Sequence, residues 1–131
     1  MALNETDNQR SPDALTEMVI AAILEVSNTL GAGFLEKVYE RALLRELKLR
    51  GLQAAAQATF SIHYKGYRVG DYFADILVEN KVVVELKCSD HLTNDHMAQC
   101  LNYLRASSLK LCLLVNFQKP IVEWRRVVLN L

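Results

Sequence analysis

The hydrophobic pattern of this chain changes period near residue 50, and that change limits what the chain can fold into. Before it, apolar residues recur at helical spacing. Leu15, Val19, Ala22, Ile23, Val26 and Leu30 form one stripe, and Leu35, Val38, Ala42, Leu43 and Leu47 a second. Beyond it the spacing falls to two. Ala58 to Tyr64 alternates, Lys65-Gly66 turns, and Tyr67 to Val78 resumes. After a Glu79-Asn80 turn, Val82 to Leu86 is a continuous apolar run broken only by Glu85, as in a strand buried on both faces. Helical spacing returns from Thr93 or Asn94 to about Ser107. Leu109–Asn116 and Ile121–Leu129 then read as strands, broken at Lys119-Pro120. The order α-α-β-β-β-α-β-β predicts an α/β fold, one mixed central sheet flanked by helices.

Local signals place the ends of these elements. Residues 1–11 read as a disordered polar tail, with Ser11 as N-cap and Pro12 at the first helical position. Gly31 and Gly33 end the first helix, and Gly51 suits the C-terminal cap of a second helix running from about Leu35 to Arg50. The rest, residues 12–131, is expected to be a single domain, since 131 residues fall near the roughly 150 of one domain.

Composition removes several classes of function. Hydrophobic residues make up 51% of the chain, which excludes wholesale disorder. Lys plus Arg and Asp plus Glu both number 15, so the chain is no strongly basic coat for nucleic acid. The charge is uneven, however. Glu5, Asp7, Asp13, Glu17 and Glu25 against Arg10 make the start acidic, whereas Arg105, Lys110, Lys119, Arg125 and Arg126 against Glu123 make the last third basic. The longest uncharged apolar run, Met18 to Leu24, falls well short of the ~20 residues of a membrane span. Met1 to Pro12 lacks the basic-then-apolar order of a signal peptide. Three cysteines without CxxC spacing do not make a disulfide framework, so a cytoplasmic location is expected. Cys88, Cys100 and Cys112 are expected to be small buried residues, and Trp124 to pack in the core.

The chemistry concentrates in the middle strands. Asp75 sits late in the second, and Glu85-Leu86-Lys87 ends the third. The tight turn between them makes these strands antiparallel neighbours, which brings Asp75 close to Glu85. Alternation puts Glu85 and Lys87 on one face. Carboxylates converging beside an apolar strand need pairing or a metal. Asp75, Glu85 and the carbonyl of Leu86 would make a hard oxygen site for Mg²⁺ or Mn²⁺, with Lys87 beside the attacking water. The spacing alone also describes a surface ion pair at a strand end. Cys88, His91, His96 and Cys100 have the residue types of a zinc site, but Cys88 closes a strand while His96 and Cys100 lie on the next helix, so zinc is not expected.

The ordered set resembles the PD-(D/E)XK nuclease superfamily and, within it, the GxxExxY family. The name motif stands as Gly33-Phe-Leu-Glu36-Lys-Val-Tyr39, the nuclease-like signature matches at Asp75, Glu85 and Lys87, and a QxxxY pattern follows at Gln99 and Tyr103. Leu113-Leu-Val-Asn116-Phe117 resembles the family's later strand. Ser27, Cys112 and Gln118 depart from its usual residues, and none of these is a metal ligand. The resemblance implies a restriction-endonuclease-like αβββαβ core with an extra N-terminal helix.

It further implies a Mg²⁺- or Mn²⁺-dependent nuclease acting on nucleic acid, DNA above all. Asp75, Glu85 and Leu86 would hold the metal, Lys87 would serve catalysis, and Glu36 would add an acidic group at the rim. Gln99, Tyr103, His96 and Arg105 would bind substrate, with Lys110, Arg125 and Arg126 as further phosphate contacts. Tyr39 would be a support whose hydroxyl bonds a site residue. Each of these has a plainer reading: Glu36 complements the helix dipole, and Gln99 partners Tyr103 at the edge of the core. The rival at the level of function is a catalytically inactive module on the same fold that binds nucleic acid or protein. A homodimer would double the basic surface of so small and neutral a chain.

Overall fold

The computed structural model describes residues 12–129; the expected tail, the Ser11 cap and the last two residues lie outside the described residues. Helices α1 (Pro12–Leu30) and α2 (Glu36–Leu49) precede strands β1 (Ala54–Tyr64), β2 (Tyr67–Val78) and β3 (Val82–Lys87). Helix α3 (Asn94–Ser107) then leads to β4 (Leu111–Asn116) and β5 (Glu123–Val128). The strands form one sheet in the order β1-β2-β3-β4-β5. Strands β3 and β4 run parallel and the other neighbours antiparallel, which makes the sheet mixed as the pattern predicted. A parallel pair needs a crossover, and α3 supplies it.

Period-two alternation sends the strand residues to two cores. Val82, Val84 and Leu86 of β3 pack with Val19 and Ile23 of α1 and with Tyr39, Leu43 and Leu47 of α2. Val83, on the opposite face, packs with Cys100 and Leu104 of α3 and with Cys112 and Leu114 of β4. Every residue of β4 is buried, so the middle of the sheet is held from both sides. Among the described residues no helix is long and apolar enough to cross a membrane.

The expected caps explain most element ends. Gly51 takes φ 80°, and the N–H groups of Leu52 and Gly51 bond the carbonyls of Leu47 (2.9 Å) and Lys48 (3.0 Å), a Schellman closure of α2. Two expectations are corrected. Strand β1 starts at Ala54 rather than Ala58: Ala54, Ala55 and Ala56 pair with Val78, Leu77 and Ile76, so the partner strand overrides the weak strand preference of alanine. Leu35 and Val38 do not join the core stripe; Leu35 is 80% exposed, because it is the N-cap residue of α2 and lies before the helical face begins.

Tyr39 shows what holds the α1–α2 connection. Its ring stacks on Phe117 at 4.5 Å, while its hydroxyl donates to the Gly31 carbonyl at 2.6 Å and accepts the Phe34 N–H at 3.2 Å. The support expected of Tyr39 therefore goes to the loop backbone rather than to a site residue. Tyr39→Phe keeps the stacking and removes both bonds. It is expected to lower stability by about 1–3 kcal/mol, read as a lower urea midpoint with an unchanged m value.

Candidate active site

Strands β2 and β3 pair backbone to backbone only over Ile76–Val78 and Val82–Val84. One residue farther the ladder ends and side chains replace it. Glu85 Oε1 accepts the N–H of Asp75 at 3.1 Å, and Asp75 Oδ2 accepts the N–H of Leu86 at 2.8 Å. Each acid is thus held by the backbone of the other's strand, and the two carboxylates share the opening between β2 and β3. The N–H and C=O of a strand residue point the same way. The Leu86 carbonyl therefore turns toward this opening as well.

Strand β2 twists through Asp75. Ala74 packs in the α3-side core and Ile76 in the α2-side core, although two strand residues with one between them normally share a face. Across from Asp75, Gln57 of β1 adopts φ 55°, a left-handed conformation that costs a non-glycine residue roughly 1–2 kcal/mol. Its amide favours the charged form of Asp75 and donates to Glu40 Oε1 at 2.9 Å, and Glu40 Oε2 meets Lys37 Nζ at 3.2 Å. Glu40 is buried on α2. Neither Glu40 nor Gln57 stood out in the sequence. The available signal was the position of Glu40 beside core Tyr39, four residues after Glu36 on the same helix.

On the other face, Lys87 Nζ donates to Gln99 Oε1 at 3.1 Å. Tyr103, one turn along α3, sets its ring against Tyr72 at 4.8 Å and 65°. The helix is aimed by a capping box in which Thr93 Oγ1 accepts the His96 N–H and His96 Nδ1 accepts the Thr93 N–H, both at 3.2 Å. Asn116 ties down the loop between site and helix: its amide donates to the Ser89 carbonyl at 2.8 Å and accepts the N–H groups of Ser89 and Gln118 at 3.1 Å.

Electrostatics set this opening apart. Burial, then the charge of Asp75, push the Glu85 carboxyl up to about 9. Burial also raises Asp75, against the Leu86 N–H that favours its charged form. The Tyr103 phenol is pushed up by burial and by the charges of Glu85 and Asp75. A buried Glu85 carboxyl facing the charge of half-buried Asp75 in one gap presents the donor chemistry a divalent cation satisfies. Asp75, Glu85 and the Leu86 carbonyl therefore fit such an ion. Among the described residues no three His, Cys, Asp or Glu side chains gather, so these two acids are the anionic part of the set.

The remaining candidates spread outward. Exposed Glu36 accepts the Cys88 N–H through Oε2 at 3.2 Å, just past Lys87. His96 already commits Nδ1 to the helix cap, and Arg105 donates to Asn102 Oδ1 at 3.2 Å. Arg125 and Arg126 are engaged by Glu123 at 3.4 Å and Asp13 at 2.7 Å. Cys100 and Cys112 are buried as expected, but Cys88 is only half-buried, because it sits where β3 leaves the sheet, under the Phe34 carbonyl. Trp124 packs partly buried against the α2-side core.

A family model of the PD-(D/E)XK nuclease superfamily matches residues 13–127. The chain belongs to this superfamily. Solved structures agree at the level of fold. The protein SSO0001 is similar with a TM-score of 0.58 and 22% identity, over 73% of this chain and 51% of that one, so the chain spans about half its length. An alkaline exonuclease (LHK-Exo) from Laribacter hongkongensis is similar with a TM-score of 0.53 and 12% identity, over 93% of this chain and 72% of that one. No curated protein matches the chain. The restriction-endonuclease-like α/β fold expected from the sequence is thus the fold observed. PD-(D/E)XK nucleases typically use divalent metals, which accords with an acid pair at the frayed end of a strand ladder.

Proposed function

We propose that this chain is a nuclease of the GxxExxY family that hydrolyses phosphodiester bonds of DNA with Mg²⁺ or Mn²⁺. The observation that carries this reading is the acid pair Asp75–Glu85 where the β2–β3 ladder ends, with Lys87 beside it. Asp75, Glu85 and the Leu86 carbonyl would hold the metal. When bound, a divalent ion polarises phosphate and makes water a stronger acid.

The chain's own groups do the rest. Lys87, steadied by Gln99, keeps an ammonium beside the position where phosphate oxygens gain charge. Tyr103, whose phenol stays protonated, donates its O–H to the strand, and Gln99 shares its amide between Lys87 and substrate. Glu36 adds an acidic group at the rim, Tyr39 supports the loop before it, and His96 and Arg105 contact the strand beyond. The same reading takes residues 12–131 as one domain, in the cytoplasm, working as a homodimer.

The test is cleavage of labelled single-stranded, duplex and branched DNA by the wild-type chain with Mg²⁺ and with Mn²⁺. Cleavage that stops with a chelator and returns with the ion is the expected result. Failure on every substrate, together with no calorimetric uptake of either ion, would leave the non-catalytic binding module as the better reading.

A further inference from the structure

Strands β1 and β2 continue as a two-stranded ribbon well past Ile76, where β3 leaves them. Helix α3 lies along the base of this ribbon. Between the two opens a cleft of about 530 Å³, lined by Ser61, Ile62, His63, Tyr72, Asn102 and Arg105. That volume lies within the roughly 300–1,000 Å³ of small-molecule sites.

Three features give the cleft a chemistry. Arg105 bonds only the neutral Asn102 amide, and among the described residues no carboxylate pairs with it; Arg41 and Arg45 share this but do not line the cleft, whereas Arg50, Arg68, Arg125 and Arg126 each have a carboxylate. An uncompensated guanidinium at a cleft suits a phosphate. Tyr72 supplies an aromatic wall, and His63 and Asn102 bring polar groups around it. Finally, the Tyr72 ring touches Tyr103, whose phenol feels the charges of Glu85 and Asp75, so the two rings link the cleft to the acid pair. Bases in a duplex keep their faces stacked on each other. Only an unpaired base can lay a face on Tyr72 between a ribbon and a helix.

We propose that this cleft holds one unpaired nucleotide of a single-stranded DNA segment next to the scissile phosphate, its base against Tyr72 and its phosphate on Arg105. The proposal deepens the nuclease reading and rests on it.

The test is fluorescence anisotropy of a short labelled oligothymidylate with chelator present, so that cleavage plays no part. Tyr72→Leu is expected to weaken binding roughly five- to a hundred-fold, with Tyr72→Phe restoring it. Arg105→Ala is expected to weaken binding and to lower the slope of log affinity against log salt by about 0.7. Lys48→Ala, which removes an equal charge on α2, should leave binding as in the wild type. Arg105 is exposed, so its variant also serves if Tyr72→Leu fails to fold.

Binding by Arg105→Ala equal to the wild type overturns the cleft, as does absence of oligothymidylate binding by the wild type. A blunt duplex bound as tightly, with the same dependence on Arg105, overturns the unpaired nucleotide. Arg105-dependent binding by a chain that cleaves nothing with Mg²⁺ or Mn²⁺ keeps the cleft and overturns the nuclease reading. Cleavage with no dependence on Arg105 or Tyr72 does the reverse.

Discussion

Lys87→Ala is expected to slow phosphodiester cleavage on the order of 10²–10³-fold, the usual cost of removing one preorganised electrostatic donor. The ammonium sits on the same strand face as Glu85 and is steadied by a single bond to Gln99. Its charge acts most where phosphate gains negative charge, so the loss should fall on kcat more than on KM. Stability should change little, since the half-buried side chain makes no ion pair among the described residues. Single-turnover rates and thermal melts of both proteins check the two halves together. A variant as fast as the wild type would remove Lys87 from the chemistry while leaving Asp75 and Glu85 as the proposed metal ligands.

Glu85→Gln should separate metal binding from folding in the opposite sense. The folded-state value of about 9 lies above the ordinary 4.5, so the native chain keeps a proton that the unfolded chain has already lost between them. The stability tied to that proton is fully present below the unfolded value and is lost as pH rises toward the folded one, with a limiting slope of about 1.4 kcal/mol per pH unit. Glutamine copies the protonated form and removes the part of the slope that belongs to Glu85. In chelator, the variant should therefore be more stable than the wild type by a few kcal/mol at about pH 8, and nearly equal to it at about pH 5. The same change removes one of two anionic donors, so calorimetry should find Mn²⁺ uptake strongly weakened. A wild-type melting temperature that does not fall with rising pH relative to the variant would show that Glu85 is not charged against its surroundings. Unchanged Mn²⁺ affinity would show that it is not a ligand.

What could be read in the sequence followed from periods and turns. The helical stripes, the ribbon, the buried run Val82–Leu86 and the helix after Thr93 all come from spacing that the packing then uses. The partnership of Asp75 and Glu85 was legible because one tight turn joins their strands, leaving few ways to pair them. Glu40 and Gln57 were hidden for a different reason. A glutamate inside an amphipathic helix reads as solvent-facing, whereas Glu40 is buried and takes the amide of Gln57 from β1. Gln57 carries no residue-type signal for left-handed backbone, which glycine or asparagine would have carried. Exposed Leu35 erred the other way, since an apolar residue just before a helix start matches the stripe in spacing but not in direction.

The left-handed turn at Gln57 also bears on how the chain avoids sticking to its own copies. Among the described residues the two outer strands of the sheet have a neighbour on one side only, and such edges can template further strands. Strand β5 carries Glu123, Arg125 and Arg126, charges that a strand added in register would have to crowd. Strand β1 begins Ala54-Ala-Ala-Gln-Ala-Thr-Phe60, uncharged and mostly small, and has no such defence. Its protection is geometric: a residue at positive φ inside this stretch rotates the peptide groups on either side of it out of line. A straight incoming strand can match the groups before Gln57 or those after it, but not both. The residue that braces Asp75 from behind therefore also breaks the one edge along which these molecules could otherwise assemble into a continuous sheet.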